Sequence, residues 1–177
     1  MIIMGIDPGD TLIGFGVIKK TGSNIALVAH GCIAVPSAGK TTSQKLHELA
    51  EKLGEVLVTL APTVVGIEDI FFFKNLKTAI KVAQARGVIL ATCERHNVAV
   101  LEFTPLQIKQ AVTGYGRAEK KQVQKMVQAI LGVQTLFTQD DAADALAAAI
   151  CTHSSMLLKT LEQNTRPRRP NTRAKNG

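Results

Sequence analysis

Apolar and polar positions change their spacing several times along the chain, and each change marks an element. Ile2 to Ile6 is a short apolar run closed by Asp7-Pro8-Gly9-Asp10, and Gly14-Phe15-Gly16-Val17-Ile18, entered at Ile13, is a second, so the two read as a hairpin. Residues 24–35 form a third strand, closed by Pro36-Ser37-Ala38-Gly39. From Thr42, Leu46, Leu49, Leu53, Val56, Leu57 and Leu60 recur at three and four, which predicts a helix with one apolar stripe, stopped by Pro62. Thr63 to Ile67 is a continuous apolar run suited to a buried parallel strand, and it ends on Glu68-Asp69. A helix over 76–95, a fifth strand over 98–103, a short helix opened by Pro105, a break at Thr113-Gly114-Tyr115-Gly116, a helix over 118–131 and a last helix over 140–161 complete the pattern. The expected fold is α/β, a mixed five-stranded sheet flanked by helices, in one domain over 1–163 with a disordered basic tail over 164–177.

At 177 residues the chain suits one medium domain and excludes a two-lobed enzyme. No stretch offers the roughly 20 apolar residues of a membrane span. The N-terminus carries no basic region or cleavage site of a secretory signal and meets Asp7 at once, so a cytoplasmic protein is expected. Cys32, Cys93 and Cys151 lie far apart with no CxxC pair and read as buried small residues, and four scattered histidines show no metal-binding spacing. Any metal would therefore be held by oxygen. The net charge of +7 is uneven: residues 1–73 carry −2, 74–125 carry +7, 126–165 carry −3 and 166–177 carry +5. Basic segments bracketing acidic ones point to a polyanionic partner, with nucleic acid the leading candidate.

Four acids fall at the ends of the right elements. Asp7 closes the first strand, Glu68 closes the fourth, and Asp141 and Asp144 share a face of the last helix. Carboxylates gathered at one rim of an open sheet repel one another unless a hard cation neutralises them, which implies Mg²⁺ or Mn²⁺. Each acid also has an ordinary structural role open to it. Asp7 precedes Pro-Gly as turn residues do, and Asp140 or Asp141 suits a helix N-terminus. Asp144 sits in a run otherwise apolar on all sides, where burial is expected and an unpaired charge would be very costly. Asp140, four before Asp144, shares its face as well, and spacing leaves Asp140 and Asp141 as alternatives.

These residues also carry a family resemblance. Gly5-Ile6-Asp7-Pro8-Gly9 with Gly14-Phe15-Gly16 closely resembles the first motif of the RuvC Holliday-junction resolvases. Ile67 to Phe72 looks like the second motif, and Gln84-Ala85-Arg86-Gly87 is similar to the helix after it. Lys109 through Gly114-Tyr115-Gly116 to Lys120 resembles the third, and Asp141 to Ala147 the last. The resemblance covers residues 1 to about 153, with Ala83 where the family has Gly. It implies a ribonuclease-H-like fold, a homodimer, and an endodeoxyribonuclease that nicks two opposed strands of a four-way DNA junction to leave ligatable 5′-phosphate ends. By the same resemblance the catalytic, metal-holding acids are Asp7, Glu68, Asp141 and Asp144, which favours Asp141 over Asp140. Two Mg²⁺ per subunit are implied, with Mn²⁺ as substitute. Lys109 and Lys120 are implied on the scissile phosphate, and Phe71 is implied as an aromatic stacking on bases at the junction centre. Branch-migration partners, the RuvA and RuvB proteins, are implied also.

The helix around Ala79 to Ala91, rich in small and apolar residues with Gly87, suits close contact across a twofold axis. A non-catalytic junction-binding module would have lost acids, and a different ribonuclease-H-like nuclease would differ in substrate.

Overall fold

The computed structural model describes residues 1–22, 24–69, 76–133 and 140–165, with side chains through Leu158. Strands β1 (Ile2–Asp7), β2 (Leu12–Thr21) and β3 (Asn24–Ala34) form an antiparallel meander in which Gly5 faces Gly16 and Asp7 faces Gly14. Strand β4 (Val64–Glu68) joins the other edge of β1 in parallel, with Ile6 beside Ile67, and β5 (Ala99–Phe103) extends the sheet beyond it. The order is β3-β2-β1-β4-β5, a mixed five-stranded sheet as expected. The second strand is longer than its apolar run because β2 is paired on both sides, and its ladder carries a register shift between Val17 and Ile18.

Helix α1 (Thr42–Leu60) opens on a capping box, Thr41 accepting from the Gln44 N–H and Gln44 accepting from the Thr41 N–H, and it ends on Ala61 before Pro62. Helix α2 (Leu76–Arg95) has its expected bounds. Helix α3 (Pro105–Thr113) is opened by Thr104 with Pro105 at N1 and closed by Gly114 at φ 75°. Helix α4 starts at Lys120, not Ala118, because Glu119 is its N-cap and Ala118 is buried before it (Lys120–Leu131). Helix α5 (Asp140–Thr165) runs past the expected end at Leu161. Residues 166–177, most of the expected tail, lie outside the described residues. Among the described residues no helix is long and apolar enough to cross a membrane. Cys93 and Cys151 are buried as expected, but Cys32 on β3 is only partly so.

Strand alternation sorts the core into two. Met4, Ile6, Ile13, Val17, Val65 and Ile67 pack toward α1 and α2, meeting Leu49, Leu53, Leu57, Ala85, Ile89 and Cys93. Ile3, Ile18 and Val64 point to the opposite face, under α3, α4 and α5. Gly5, Gly14, Gly16 and Gly66 share this second face, and here glycine is required by proximity. A Cβ on Gly5 would lie 1.9 Å from the Ala145 carbonyl oxygen, and one on Gly14 would lie 2.1 Å from that of Asp141. The alanine run of α5 therefore rests almost on the sheet backbone.

A candidate carboxylate centre at the sheet rim

The same alternation decides where the acids point. Asp7 follows Ile3 and Gly5 in β1, and Glu68 follows Val64 and Gly66 in β4, so both face α5. Because β1 and β4 are parallel neighbours, these two carboxylates emerge side by side at one rim. Helix α5 begins over that rim, with the Asp141 carbonyl and Cβ against Gly14, and Asp144 follows one turn later.

The same neighbours act on the two strand-borne acids through their charges. Burial first, and then the charges of Asp144, Glu68 and Asp141, together push the Asp7 carboxyl up to about 7, with Lys120 opposing them. Glu68 is also raised, by burial first and by Asp144 second, with Lys109 working against the shift. Asp140 is absent from both groups of neighbours. It lies exposed, accepts from the Gln124 side chain at 2.9 Å and pairs with Lys120 at 3.4 Å, and these contacts hold its pKa below the ordinary value. The geometry thus places Asp141, and not Asp140, beside Asp7.

Asp144 departs from expectation in one respect. Its side chain is 32% exposed rather than buried, because it looks into a pocket of about 200 Å³ lined by Glu68, Pro105, Ile108, Lys109, Lys120, Val123 and Ala147. Its charge is met by Lys120 Nζ at 3.0 Å. Burial works against the charge of Lys120, but hydrogen bonds and charges from Asp144 and Asp140 outweigh it and raise its pKa. Both lysines expected near the acids are therefore there. Phe71 lies outside the described residues.

Among the described residues no three His, Cys, Asp or Glu side chains are already drawn into a ligating cluster. The four acids nonetheless fit a hard divalent cation: they offer carboxylate oxygens, and a cation would offset the repulsion that adds to burial in raising Asp7. Asp7 and Glu68 are the half of the set carried by the sheet, and Asp141 and Asp144 the half carried by α5.

Two supports of the rim were not singled out from sequence. Asp10, three residues past Asp7, pairs with Lys45 of α1 at 2.7 Å and ties down the β1–β2 turn. Arg86 of α2 reaches the end of β4. Its signal was present: Arg86 stands inside the stripe Val82, Ala85, Ile89, Cys93 that faces the sheet, where a guanidinium needs buried partners.

Known proteins resemble this chain in sequence and in fold. Residues 3–153 match the family model described as crossover junction endodeoxyribonuclease RuvC. A crossover junction endodeoxyribonuclease RuvC of Caldicellulosiruptor saccharolyticus is 47% identical over 152 residues, covering 85% of this chain and 91% of its own. Another, of Syntrophomonas wolfei, is 47% identical over 165 residues, covering 93% and 95%. Among solved structures, that of Thermus thermophilus RuvC in complex with Holliday junction substrate superposes with a TM-score of 0.84 at 32% identity, over 90% of this chain and 97% of that one.

Proposed function

The chain belongs to the RuvC family of crossover junction endodeoxyribonucleases, and on that premise we propose that it resolves four-way DNA junctions by paired, symmetric nicks through metal-assisted hydrolysis. The observation that carries the mechanism is the meeting of Asp7, Glu68, Asp141 and Asp144, from three elements on one face of the sheet, beside a pocket shared with Lys109 and Lys120.

Two Mg²⁺ ions, or Mn²⁺ in their place, would supply an activated water on one side of a phosphodiester and charge stabilisation for the departing 3′-oxygen on the other. Asp7, Glu68, Asp141 and Asp144 would hold these ions through their carboxylate oxygens. Lys109 and Lys120 line the pocket as positive charges and orient a phosphate, adding to the stabilisation of charge as it develops. No side-chain nucleophile is needed, and the 5′-phosphate stays on the downstream strand.

Paired cuts call for two copies of this centre at fixed spacing, which a twofold dimer supplies. Helix α2 offers the face. Leu76 is 78% and Ile80 56% exposed, Ala83 and Gly87 continue the stripe on the solvent side, and a Cβ on Gly87 would meet nothing within 4 Å. An apolar stripe left to solvent at spacings of three and four fits a second copy of the same helix. A cytoplasmic site of action and a link to branch-migration proteins complete the reading.

Asp7→Asn and Asp144→Asn test it, since each removes charge that a cation needs while leaving shape and basic surface intact. Both variants should bind a four-way junction as wild type does and fail to nick it in Mg²⁺. Wild-type nicking by either would overturn the centre. Wild type should prefer the junction to duplex, flap and RNA–DNA hybrid, and require a divalent ion; preference for the hybrid would overturn the substrate.

A further inference from the structure

Glu68 is the last residue of β4, so its direction depends on how that strand end is held. What holds this strand end comes from below the sheet. The guanidinium of Arg86, only 13% exposed, donates from Nε to the Glu68 carbonyl oxygen at 3.4 Å, lies 3.2 Å through Nη2 from the Asp69 carboxylate, and bonds the Glu102 carboxylate of β5 as well. The Asp69 N–H donates to the Phe103 carbonyl oxygen at 2.7 Å, which closes the frame between β4 and β5.

Resting on the reading of Glu68 as a metal-holding acid, we propose that Arg86 is a positioning residue that fixes the end of β4 so that Glu68 faces the carboxylate centre. Three acceptors from two strands converge on one planar, fork-shaped donor, a geometry a lysine cannot reproduce. The contacts are to the backbone of Glu68 and the side chain of its neighbour, so Arg86 sets the direction of the strand end without touching the Glu68 carboxylate. Strand pairing alone leaves that end open to twist, because Glu68↔Phe103 is the last pair in the β4–β5 register. Removing the guanidinium also leaves Asp69 and Glu102 to repel each other across the position it filled.

The expected result is a defect in metal use rather than in junction recognition. In the full-length protein, Arg86→Gln and Arg86→Lys should bind the junction within about threefold of wild type, by gel shift in Ca²⁺. Both should require at least fivefold more Mg²⁺ for half-maximal nicking and show a kcat at least tenfold lower, measured well below each variant's Tm. Glu102→Gln, which keeps two of the three contacts, should fall between wild type and Arg86→Gln. A variant with lowered Tm but an unchanged Mg²⁺ half-saturation and kcat would reduce Arg86 to a structural ion pair and overturn the proposal. Weakened junction binding at unchanged Mg²⁺ demand would overturn it too. Wild type run in parallel separates the two readings: if wild type does not nick junctions in Mg²⁺, the proposed function fails, whereas if only the Arg86 variants match it, this inference fails alone.

Discussion

At Asp7 burial and neighbouring like charge act together on a single carboxyl. Held near 7 by burial and three neighbouring acids, it keeps a proton in the folded protein at pH values where the unfolded chain, with its ordinary 3.8, has already lost it. A raised acid of this kind favours folding below about pH 4 and loses that contribution as pH rises toward 7, a span worth on the order of 4 kcal/mol. His153 works in the opposite direction. It is buried, its Nε2 has no hydrogen-bond partner among the described residues, and burial with nearby Lys20 lowers its pKa, so protonation costs stability as pH falls below the ordinary 6.5. The Asp7 effect is isolated by difference. With divalent ions chelated, wild type should lose Tm between pH 5 and pH 8 relative to Asp7→Asn. Mg²⁺ should raise the wild-type Tm more at pH 8 than at pH 5.5 and leave that of Asp7→Asn nearly unchanged. Equal Tm gains in both proteins at pH 8 would show that the cation binds elsewhere.

At the scale of elements, the centre depends on how closely α5 lies on the sheet. Gly5→Ala would place a methyl 1.9 Å from the Ala145 oxygen and 2.5 Å from the Ala149 nitrogen, both backbone atoms that no rotamer change can move aside. Helix α5 must shift, at about 1–3 kcal/mol of overpacking, and Asp141 and Asp144 shift with it away from Asp7 and Glu68. Gly5→Ala should therefore fold with reduced Tm and lose nicking by more than its stability explains, while junction binding persists. A variant with lowered Tm and full activity would mean that α5 adapts without moving the acids. This packing also explains what could be read from the chain and what could not. Element order followed from periodicity, since strands of period two and helices of 3.6 leave different patterns, and the acids stood out by closing apolar runs. Strand order leaves no such mark, so the reason Gly16, Gly5 and Gly66 lie in one row under α5 emerged only once β2, β1 and β4 were side by side. Likewise the partner of Asp144 is Lys120, 24 positions away by number and one helix away in space, and the acceptors of Arg86 lie on two strands. Pairings between elements are set by tertiary geometry, which local spacing does not encode.

The whole molecule presents its carboxylate pocket on one rim and an exposed apolar stripe on α2, and the chain between them runs from Glu68 to Leu76. That connection passes through Phe71, Phe72 and Phe73, half of the six phenylalanines in the chain. Phe71 follows Glu68 by three residues, so its Cα lies within about 11 Å of the Glu68 Cα by chain length alone. By the family resemblance, Phe71 is the aromatic that stacks on bases at the junction centre. A ring there can stack on a base at the junction centre, hold it unpaired and help open the crossover, at about 1–3 kcal/mol per base. Loss of that contact should weaken junction binding by at most about tenfold, and the heavier loss should fall on cleavage of fully paired junctions, where the opening must be driven by the protein. We therefore expect Phe71→Ala to nick a fully paired junction far more slowly than wild type and to recover in part on a junction already unpaired at its centre. Equal defects on both substrates would contradict the wedge. A loss of stability of about 3–5 kcal/mol, the cost of removing a buried phenylalanine, would instead place Phe71 in the core.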